Sequence, residues 1–238
     1  MNVHSFQTVS VPARRRRHPP ARQAALAARA SKRDAILDAA TRVFAERGFF
    51  GAQVADVARR AGVAAGTVYL YFKNKDDLLI SVFNRTMREA IEEGRDLLTT
   101  VSDPVARLQR FAELHLGRLG RDRALAVVFQ VELRQSTKFM ERFTASWLGR
   151  YFDLVGSVIE QGQREGTLRP DVPRKLVTKA FFGTLDELVT SWVIGRKDYD
   201  LALLAGPAVD LLLRGAARAD ASVPGRRTLR MAAGRGGR

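Results

Sequence analysis

The sequence predicts an all-α protein, and three observations favour that class. Apolar residues recur at three- and four-residue steps along most of the chain, which is the spacing of one helix face. Alternation of apolar and polar residues, the pattern of a strand, has no run of useful length. Glycine or proline stands where such helices would stop or start, as at Gly48, Pro104, Gly120 and Gly166. With 238 residues, 46% of them hydrophobic, the chain can bury a substantial core in one or two domains.

A pair of short helices is predicted over residues 54–61 and 65–71, with a tight turn at Gly62. Gly62 stands where the backbone needs a positive φ, which only glycine adopts without steric cost. The positions that must face inward for the two helices to pack are apolar or small: Val57, Ala58, Ala61, Val63, Val68 and Tyr71. The sequence therefore predicts a helix-turn-helix, a unit whose second helix enters the major groove of DNA.

The second helix of this pair opens with the short side chains of residues 64–67, which let its N-terminus approach DNA. Its exposed face is predicted to carry Thr67, Tyr69 and Leu70, so Thr67 and Tyr69 are the first candidates for contact with DNA. An ordinary helical hairpin, with Gly62 as a C-cap and the tyrosines as packing residues, is the alternative. The match at every inward position favours DNA binding.

The rest of the chain up to residue 214 is predicted to form further helices. Ser102, Asp103 and Pro104 supply a helix stop, an N-cap and a proline suited to a first turn. Gly206 and Pro207 predict a break or bend in the last helix. The predicted spans are 76–98, 104–119, one or two helices over 121–135, then 137–165, 174–194 and 200–214.

The last two of these helices are apolar around much of their circumference. One apolar face can fill the core of a monomer, and the remaining apolar surface of these helices indicates that a second partner covers it. A symmetric dimer explains the surplus, because the terminal helices of two subunits can pack together. We therefore expect a homodimer that binds a nearly palindromic double-stranded operator DNA.

Most of the net charge of +15 lies at the two ends of the chain. Residues 1–30 contain six arginines and no acidic residue, and residues 216–238 contain six arginines and one aspartate. Both segments are rich in Pro, Ala, Gly and Arg, and we expect them to be disordered. The N-terminal arm is predicted to add sequence-independent attraction to phosphates. Solvated termini without a role, or a transit peptide that Pro12, Pro19 and Pro20 disfavour, are the alternatives.

Composition argues against several other classes of protein. The absence of cysteine excludes disulfides and thiolate metal sites, and it permits a reducing compartment. No apolar run approaches the roughly eighteen residues that span a bilayer, so we expect a soluble, cytoplasmic protein with no membrane partner. An enzyme is the rival class, but His115 stands alone between leucines, and the adjacent Asp186 and Glu187 point about 100° apart on a helix. We predict no catalytic residue, no metal site and no cofactor.

Residues 32–82 resemble the TetR-type one-component transcriptional regulators. Residues 35–49 look like that family's first helix, from near residue 31 to a glycine stop at Gly48, and Tyr69-x-x-Phe-x-x-Lys-x-x-Leu78 matches the run that opens its long fourth helix. Many members carry Thr or Ser as an N-cap before the second helix, whereas this chain has Gln53, which can still bond a phosphate or a base. The resemblance completes the candidate DNA contacts: Lys32, Gln53, Val54, Ala65, Gly66, Thr67, Tyr69, Tyr71 and Lys75.

The resemblance implies a TetR-like fold with an N-terminal three-helix DNA-binding domain and a C-terminal helical domain for ligand binding and dimerisation. The expected organisation is a basic arm (1–30), a helix-turn-helix domain (31–75), a ligand-binding and dimerisation domain (76–215) and a basic tail (216–238). Binding of a ligand in the C-terminal domain is expected to pivot the fourth helix and move the two DNA-binding domains out of operator register.

Within that family, residues 68–81, 132–136 and 182–192 resemble the branch that represses fatty acid degradation genes and releases DNA on binding long-chain fatty acyl-CoA. An acyl chain needs an apolar tunnel, and the phosphates of coenzyme A need cations. The candidate ligand residues are Phe111, Leu114, Arg118, Arg121, Arg123, Phe129, Leu133, Arg134, Phe143, Trp147, Tyr151, Phe182, Leu185 and Val189. A regulator of efflux genes that senses lipophilic cations is the alternative, with Glu132, Asp186 and Glu187 as candidate carboxylates.

Overall fold

The structure, a computed structural model, describes residues 21–135, 137–143, 147–195 and 199–214, and of residues 21–26, 138, 142 and 143 it describes the backbone alone. Every regular element within these ranges is helical, so the predicted all-α class is confirmed. None of the helices in this part of the chain is long and apolar enough to cross a membrane.

Ten α-helices follow one another along the described residues. They are α1 (Ala21–Gly51), α2 (Val54–Arg60), α3 (Ala65–Tyr69), α4 (Lys75–Thr100), α5 (Pro104–Gly120), α6 (Arg123–Val127), α7 (Thr137–Phe143), α8 (Gly149–Arg164), α9 (Arg174–Ile194) and α10 (Ala205–Arg214). A π-helical turn (Val128–Glu132) and a 3₁₀ turn (Leu133–Gln135) continue α6, and a second 3₁₀ turn (Leu201–Leu204) precedes α10.

Helix α1 begins at Ala21, so residues 21–30, which the sequence assigned to a disordered arm, are helical. That expectation was wrong because the segment consists largely of Ala, Arg, Gln and Leu, which are strong helix formers even without an amphipathic pattern. The regular part of α1 ends at Gly48, whose φ of 69° and ψ of 159° are not helical. Residues 1–20 of the predicted arm and the predicted tail lie outside the described residues.

Helices α1 to α3, here called the reading head, share a small core with the first turns of α4. Helix α1 packs against α2 and α4, and α2 packs against α3. The core side chains are at most 2% exposed, and they include Ile36, Leu37, Phe44, Val57, Val68, Phe72, Leu78 and Leu79. Full burial of a side chain of this size stabilises a fold by about 1.5–3 kcal/mol. Helix α4 then continues into the C-terminal body, defined as α4 to α10, so the head and the body share one rigid element.

Helix α5 lies at the centre of the body. It packs against α4, α8, α9, α10 and the 3₁₀ turn that precedes α10. Gly94 on α4 lets the first of these contacts be close, because a Cβ there would lie 2.6 Å from the ring of Phe111 and 2.9 Å from Leu154. Helices α4, α5 and α8 therefore converge at Gly94, where only a residue without a side chain fits.

Two of the predicted helices differ in detail from those in the structure. The predicted helix over 137–165 is present as α7 and α8, and residues 144–146 between them lie outside the described residues. The break expected near Gly206 and Pro207 lies slightly earlier, at the junction between the 3₁₀ turn and α10. Pro207 falls in the first turn of α10, where the missing N–H of proline costs no helical hydrogen bond.

The turn between α2 and α3 provides a matched test of backbone conformation. Gly62 has a φ of 67°, whereas Gly66 lies inside α3, and a Cβ at either position would meet nothing within 4 Å. We expect Gly62→Ala to lower the free energy of unfolding by about 1 kcal/mol, since a side chain is strained at positive φ. The Gly66→Ala control should raise it by about 0.5–1 kcal/mol, because alanine is the better helix former. Urea denaturation followed by circular dichroism measures both, and equal effects would contradict this account of the turn.

Candidate functional site

The first half of the candidate DNA-binding surface is the start of α2. Gln53 stands before this helix in an extended conformation (φ −111°, ψ 148°), and its backbone N–H donates to Asp56 at 3.3 Å. Asp56 also accepts from Arg47 at 2.9 Å and from Arg59. The end of α1 and the start of α2 are therefore tied together through one nearly buried carboxyl group. The side chain of Gln53 is left on the surface beside the half-buried Val54.

The second half of this surface is α3. Val68 is buried and holds α3 on the core, while Ala65 and Gly66 are exposed and Thr67 is half-buried. Tyr69 is 55% exposed, which is unusual for a large aromatic side chain on a packed helix. The structure thus presents small residues at the N-terminus of α3 and an exposed tyrosine one turn later. Their predicted contacts with DNA stay predictions.

Lys75 and Tyr71 are more engaged in the fold than the sequence indicated. The ammonium group of Lys75 donates to the carbonyl oxygens of Ala52 at 2.9 Å and Phe50 at 3.3 Å, and it lies 4.6 Å from the ring centroid of Phe49. Lys75 therefore closes the loop between α1 and α2. Tyr71 is half-buried beneath the guanidinium group of Arg29, at 5.8 Å. The predicted DNA contacts of Lys75 and Tyr71 remain predictions.

The first helix contributes cations to the same side of the head. Lys32 is exposed, as a DNA contact would require. The guanidinium groups of Arg29 and Arg33 lie over the rings of Tyr71 and Phe72, at 5.8 and 5.1 Å. The sequence analysis did not single out Arg29 or Arg33, because the pairing of α1 with the α3–α4 loop is a tertiary contact. Stacking on aromatic rings fixes both arginines beside the helix-turn-helix.

A cavity lies in the body between α4, α5, α7, α8, α9 and the π-helical turn. The volume inside it is about 100 Å³, which is below the roughly 300–1,000 Å³ usual for ligand pockets, so a larger ligand has to spread the wall. Most of its wall is apolar: Met87, Ala90, Phe111, Leu114, Leu119, Phe129, Leu133, Met140, Leu148 and Phe182. The polar part of the wall consists of Thr86, Glu93, His115, Arg118, Gln130, Arg134, Tyr151 and Asp186.

The cavity brings together most of the predicted ligand residues. Those that line it are Phe111, Leu114, Arg118, Phe129, Leu133, Arg134, Tyr151 and Phe182. The wall formed by α4 was not predicted, although Thr86, Met87, Ala90 and Glu93 recur at the spacing of one helix face. His115 was not predicted to line the cavity either. The predicted residue Phe143 ends α7, and its side chain lies outside the described residues.

Five predicted ligand residues with described side chains do not border the cavity, and one of them, Arg121, lies in the polar cleft described below. Leu185 and Val189 are at most 1% exposed and pack within the core, because they lie on the inner face of α9. Trp147 is half-buried, with the guanidinium group of Arg150 4.8 Å from its ring centroid. Arg123 donates instead to the carbonyl oxygens of Val193 at 3.0 Å and of Gly195 at 2.9 Å. It therefore caps the C-terminal end of α9, where a cation is favourable.

A polar cleft lies beside the cavity and shares Thr86, Glu93 and Arg118 with it. The cleft is lined by Asp38, Arg85, Glu89, Arg121, Asp122 and Leu125 in addition to these three. Arg121, a predicted ligand residue, belongs to this cleft. Arg118 donates to Glu89 at 2.9 Å and to Glu93 at 2.5 Å, so its guanidinium group is oriented at the boundary between cleft and cavity. An apolar cavity thus adjoins a cleft that contains three arginines and four carboxylates.

One end of the cavity wall carries a hydrogen-bonded network. Gln130 donates to Asp186 at 3.0 Å and accepts from Thr190 at 2.9 Å. Arg134 donates to the second oxygen of Asp186 at 2.5 Å. This network joins the π-helical turn to α9, and it gives the Asp186 carboxylate two partners within the protein.

The π-helical turn also joins the cavity to the reading head. Glu132 is 4% exposed, and its side chain accepts from the backbone N–H of Phe49 at 2.6 Å and from Gln135 at 3.1 Å. Phe129 and Leu133, on either side of Glu132, line the cavity. One buried side chain therefore connects the wall of the cavity with the end of α1. Two ion pairs add to this joint, Arg42 with Asp122 at 2.6 Å and Arg85 with Asp38 at 2.6 Å.

An exposed helix-turn-helix on an all-helical body with an apolar cavity defines a DNA-binding regulator of the one-component type. The chain matches the family described as "Bacterial regulatory proteins, tetR family" over residues 36–82 and "YsiA-like protein, C-terminal region" over residues 83–215. These matches span more than half of the chain, and the protein belongs to the TetR family. Its members are transcriptional regulators, so the predicted class is confirmed against the rival class of enzymes.

Similar proteins place the chain near regulators of fatty acid metabolism. It is 37% identical over 180 residues to the fatty acid metabolism regulator protein of Bacillus subtilis, covering 76% of this chain and 93% of that protein. The fatty acid degradation regulator FadR of Bacillus halodurans superimposes with a TM-score of 0.74 at 39% identity, over 78% of this chain and 99% of that one. FadR from Bacillus subtilis, solved in complex with stearoyl-CoA, superimposes with a TM-score of 0.74 at 36% identity, over 77% of this chain and 98% of that one. The predicted resemblance to that branch is confirmed.

Burial of His115 in the cavity wall gives stability a specific pH dependence. Desolvation lowers the pKa of His115 from 6.5 to about 4, although the nearby charge of Asp186 opposes the shift. Below pH 6.5 the unfolded chain binds a proton that the native protein binds only near pH 4, so stability falls as the pH falls through this window. By linkage the loss at this residue amounts to about 3 kcal/mol.

We expect His115→Phe to remove this part of the pH dependence. The difference in unfolding free energy between the wild type and His115→Phe should be constant above pH 7 and should move in favour of the variant between pH 6.5 and 4. Urea denaturation at half-unit pH steps measures that difference. Parallel curves for the two proteins would contradict a depressed His115 pKa.

Proposed function

We propose that the protein is a dimeric, cytoplasmic repressor of fatty acid degradation genes that long-chain acyl-CoA releases from operator DNA. The observation that carries this proposal is the apolar cavity with the arginine-bearing polar cleft beside it. An acyl-CoA has the same division, since an apolar chain is attached to a polar coenzyme with three phosphate groups. Arg85, Arg118 and Arg121 of the cleft are the cations that those phosphates would engage, in competition with Asp38 for Arg85 and with Glu89 and Glu93 for Arg118.

The chemistry of the cavity supports an acyl chain as the occupant. Ten of its lining residues are apolar, and five of these are aromatic or methionine side chains: Met87, Phe111, Phe129, Met140 and Phe182. Methionine adapts its shape to flexible apolar ligands. This chain matches 98% of the length of the similar protein that was solved with stearoyl-CoA. That match supports the same class of ligand here.

The carboxylates do not favour the alternative, a sensor of lipophilic cations. Glu132 is committed to the backbone N–H of Phe49. Asp186 lines the cavity but is paired with Arg134 and Gln130. Glu187 is exposed and accepts from Ser191 at 3.0 Å. A cationic ligand at Asp186 would have to displace Arg134, and breaking a partly buried ion pair is unfavourable.

The proposed switch uses the joint between body and head. A ligand that spreads Phe129 and Leu133 would shift the π-helical turn and, through Glu132, the N–H of Phe49 at the end of α1. Phosphates in the cleft would compete with Asp38 for Arg85 and so weaken a contact between α1 and α4. The two effects act on the same helix, α1. Release requires that the ligand bind the DNA-incompetent arrangement more tightly than the competent one.

The proposed dimer uses α9 and α10. Leu176, Ile194, Leu203 and Leu211 of this region are 52–74% exposed, and together they give the surplus apolar surface that the sequence indicated. A helical face of this kind is stabilised when a second copy covers it. A two-fold axis through this face would place the two reading heads on the same side of DNA.

Operator release is the direct test of the proposed function. An operator is first obtained by in vitro selection with the full-length protein, and its affinity is then measured by fluorescence anisotropy with and without saturating palmitoyl-CoA. We expect the Kd for DNA to rise at least about tenfold, within the usual range of allosteric coupling. By linkage, operator DNA should weaken palmitoyl-CoA binding by the same factor.

The controls separate the parts of the ligand and the alternative. Free coenzyme A, palmitate and ethidium are titrated in parallel, and we expect each to leave the operator Kd within about twofold of its starting value. Release by ethidium alone would move the assignment to a sensor of cations. Palmitoyl-CoA that binds without changing the operator Kd would contradict the proposed switch.

The oligomeric state tests the proposed interface. We expect Leu211→Asp to raise the dimer dissociation constant at least about a hundredfold, because a symmetric interface then buries two charges on an apolar surface. Leu70→Asp is the matched control, since Leu70 is 75% exposed but belongs to the reading head. Sedimentation velocity from nanomolar to micromolar concentration measures both variants. A wild-type protein that is monomeric at micromolar concentration would refute the dimer.

A further inference from the structure

Two buried polar atoms of the cavity wall have no hydrogen-bond partner among the residues that the structure describes. They are Nε2 of His115 on α5 and the phenol oxygen of Tyr151 on α8. Buried polar groups in folded proteins are almost always paired, and an orphaned one lowers stability. Both residues line the cavity, although the two polar atoms themselves are almost inaccessible to solvent, so a ligand that spreads the wall would supply the partner that they lack.

The other polar side chains of the cavity wall differ from this pair, because each is bonded within the protein. Thr86 donates to the backbone of Val82, and Arg118 donates to Glu89 and Glu93. Asp186 accepts from Gln130 and Arg134, and Gln130 also accepts from Thr190. A hydrogen-bonding group on a ligand would have to break one of those bonds. At His115 and Tyr151 it would satisfy two groups and break none.

His115 and Tyr151 belong to one cluster of rings. Their ring centroids are 6.2 Å apart, and the ring of Phe182 on α9 lies 5.9 Å from each of them. Phe182 meets both rings edge to face, a favourable arrangement that limits their rotation. The two polar atoms are therefore held by rigid neighbours on three helices. Such an arrangement suits recognition of one particular atom of a ligand.

The position of His115 along α5 indicates which atom that is. Phe111, His115 and Arg118 stand at i, i+4 and i+7, so they share one face of the helix and all line the cavity. Arg118 also lines the polar cleft. His115 lies about 4.5 Å from Arg118 along the axis of α5, in the direction that leads away from the cleft. Along this face the wall changes from charged to polar to apolar. An acyl-CoA changes in the same order, with the thioester between the coenzyme and the alkyl chain.

We propose that His115 and Tyr151 bind the thioester carbonyl oxygen of the acyl ligand and so fix the depth at which the chain enters the cavity. This inference rests on the proposed acyl-CoA function. A carbonyl oxygen has two lone pairs, one for the Tyr151 O–H and one for an N–H at Nε2 of His115. Burial raises the pKa of the Tyr151 phenol, so its hydroxyl keeps the proton that it donates.

The test compares palmitoyl-CoA with S-hexadecyl-CoA, a thioether that has the same length but no carbonyl oxygen. Isothermal titration calorimetry gives the Kd of each ligand for the full-length wild type, His115→Phe and Tyr151→Phe. We expect the wild type to bind the thioester about tenfold more tightly than the thioether, since one or two hydrogen bonds are lost. In either variant that ratio should fall to about threefold or less. Thioether binding should change little, because the variants remove polar atoms that it cannot use.

Two controls separate recognition of the carbonyl from a general effect on the cavity. Phe111→Leu removes apolar wall on the same face of α5, and it should weaken both ligands while leaving their ratio at about tenfold. The unfolding free energy of the ligand-free Tyr151→Phe variant should equal or exceed that of the wild type, because the variant removes an unpaired buried hydroxyl. A variant that merely damaged the fold would lower both stability and the affinity for both ligands.

The outcomes distinguish this inference from the proposed function. Equal affinity of the wild type for the thioester and the thioether overturns the assignment of the pair but keeps the acyl-CoA function. Failure of both ligands to bind the wild type overturns the function itself. A third ligand, 3-hydroxypalmitoyl-CoA, tests the position of the oxygen. If it binds the wild type tenfold more tightly than palmitoyl-CoA, and the variants abolish that gain, the pair recognises a hydroxyl on the chain and the thioester assignment is wrong.

Discussion

The hydrogen bond from the backbone N–H of Phe49 to Glu132 holds the reading head to the body. The left-handed conformation of Gly48 ends the regular helix and leaves the N–H of Phe49 without its usual partner one turn earlier. Phe49 is 4% exposed, so water cannot satisfy that N–H. Glu132 reaches it from the far side of the interface, while the same carboxylate oxygen also accepts from Gln135 within the body. The N–H of Phe49 therefore depends on the body to be hydrogen-bonded.

The location of this bond matters more than its strength. Glu132 lies in a π-helical turn, a wider and less common backbone arrangement that often occurs at functional sites. The neighbouring Phe129, Gln130 and Leu133 form part of the cavity wall. In the proposed switch, a change in the shape of the cavity would reach the end of α1 through Glu132, without passing along the length of α4. The ion pair between Arg42 and Asp122 makes the joint stiffer, although exposed pairs of this kind contribute little energy.

The cavity lowers the stability of the ligand-free protein and provides space for a ligand. A protein selected only for stability would fill this space with side chains and would place no unpaired polar atom in its wall. Here His115 and Tyr151 lower the stability of the ligand-free state, and the open volume loses the contacts that a packed core would make. These costs are understandable if a ligand supplies the missing contacts. The local rules of folding are commonly broken at functional sites for this reason.

Much of the fold could be predicted from the sequence, because helix formation depends on local patterns. The turn at Gly62, the proline at the start of α5 and the spacing of apolar residues in the helix-turn-helix each act through near neighbours in the chain. The same reasoning failed for residues 21–30, where helix propensity without periodicity was enough to form a helix. For the ligand residues predicted on α9, spacing along one helix could not separate Phe182, which lines the cavity, from Val189, which lies in the core.

The sequence by itself determined the helical class, the position of the helix-turn-helix and the family to which the chain belongs. Only the tertiary structure decided that Lys75 closes a loop, that Arg123 caps α9, and that Glu132 joins body to head. It alone showed that His115 is an unpaired group of the cavity wall. The physical reason is that propensity and periodicity fix which face of a helix is apolar, whereas the partner of a polar side chain is set by contacts between residues far apart in the chain.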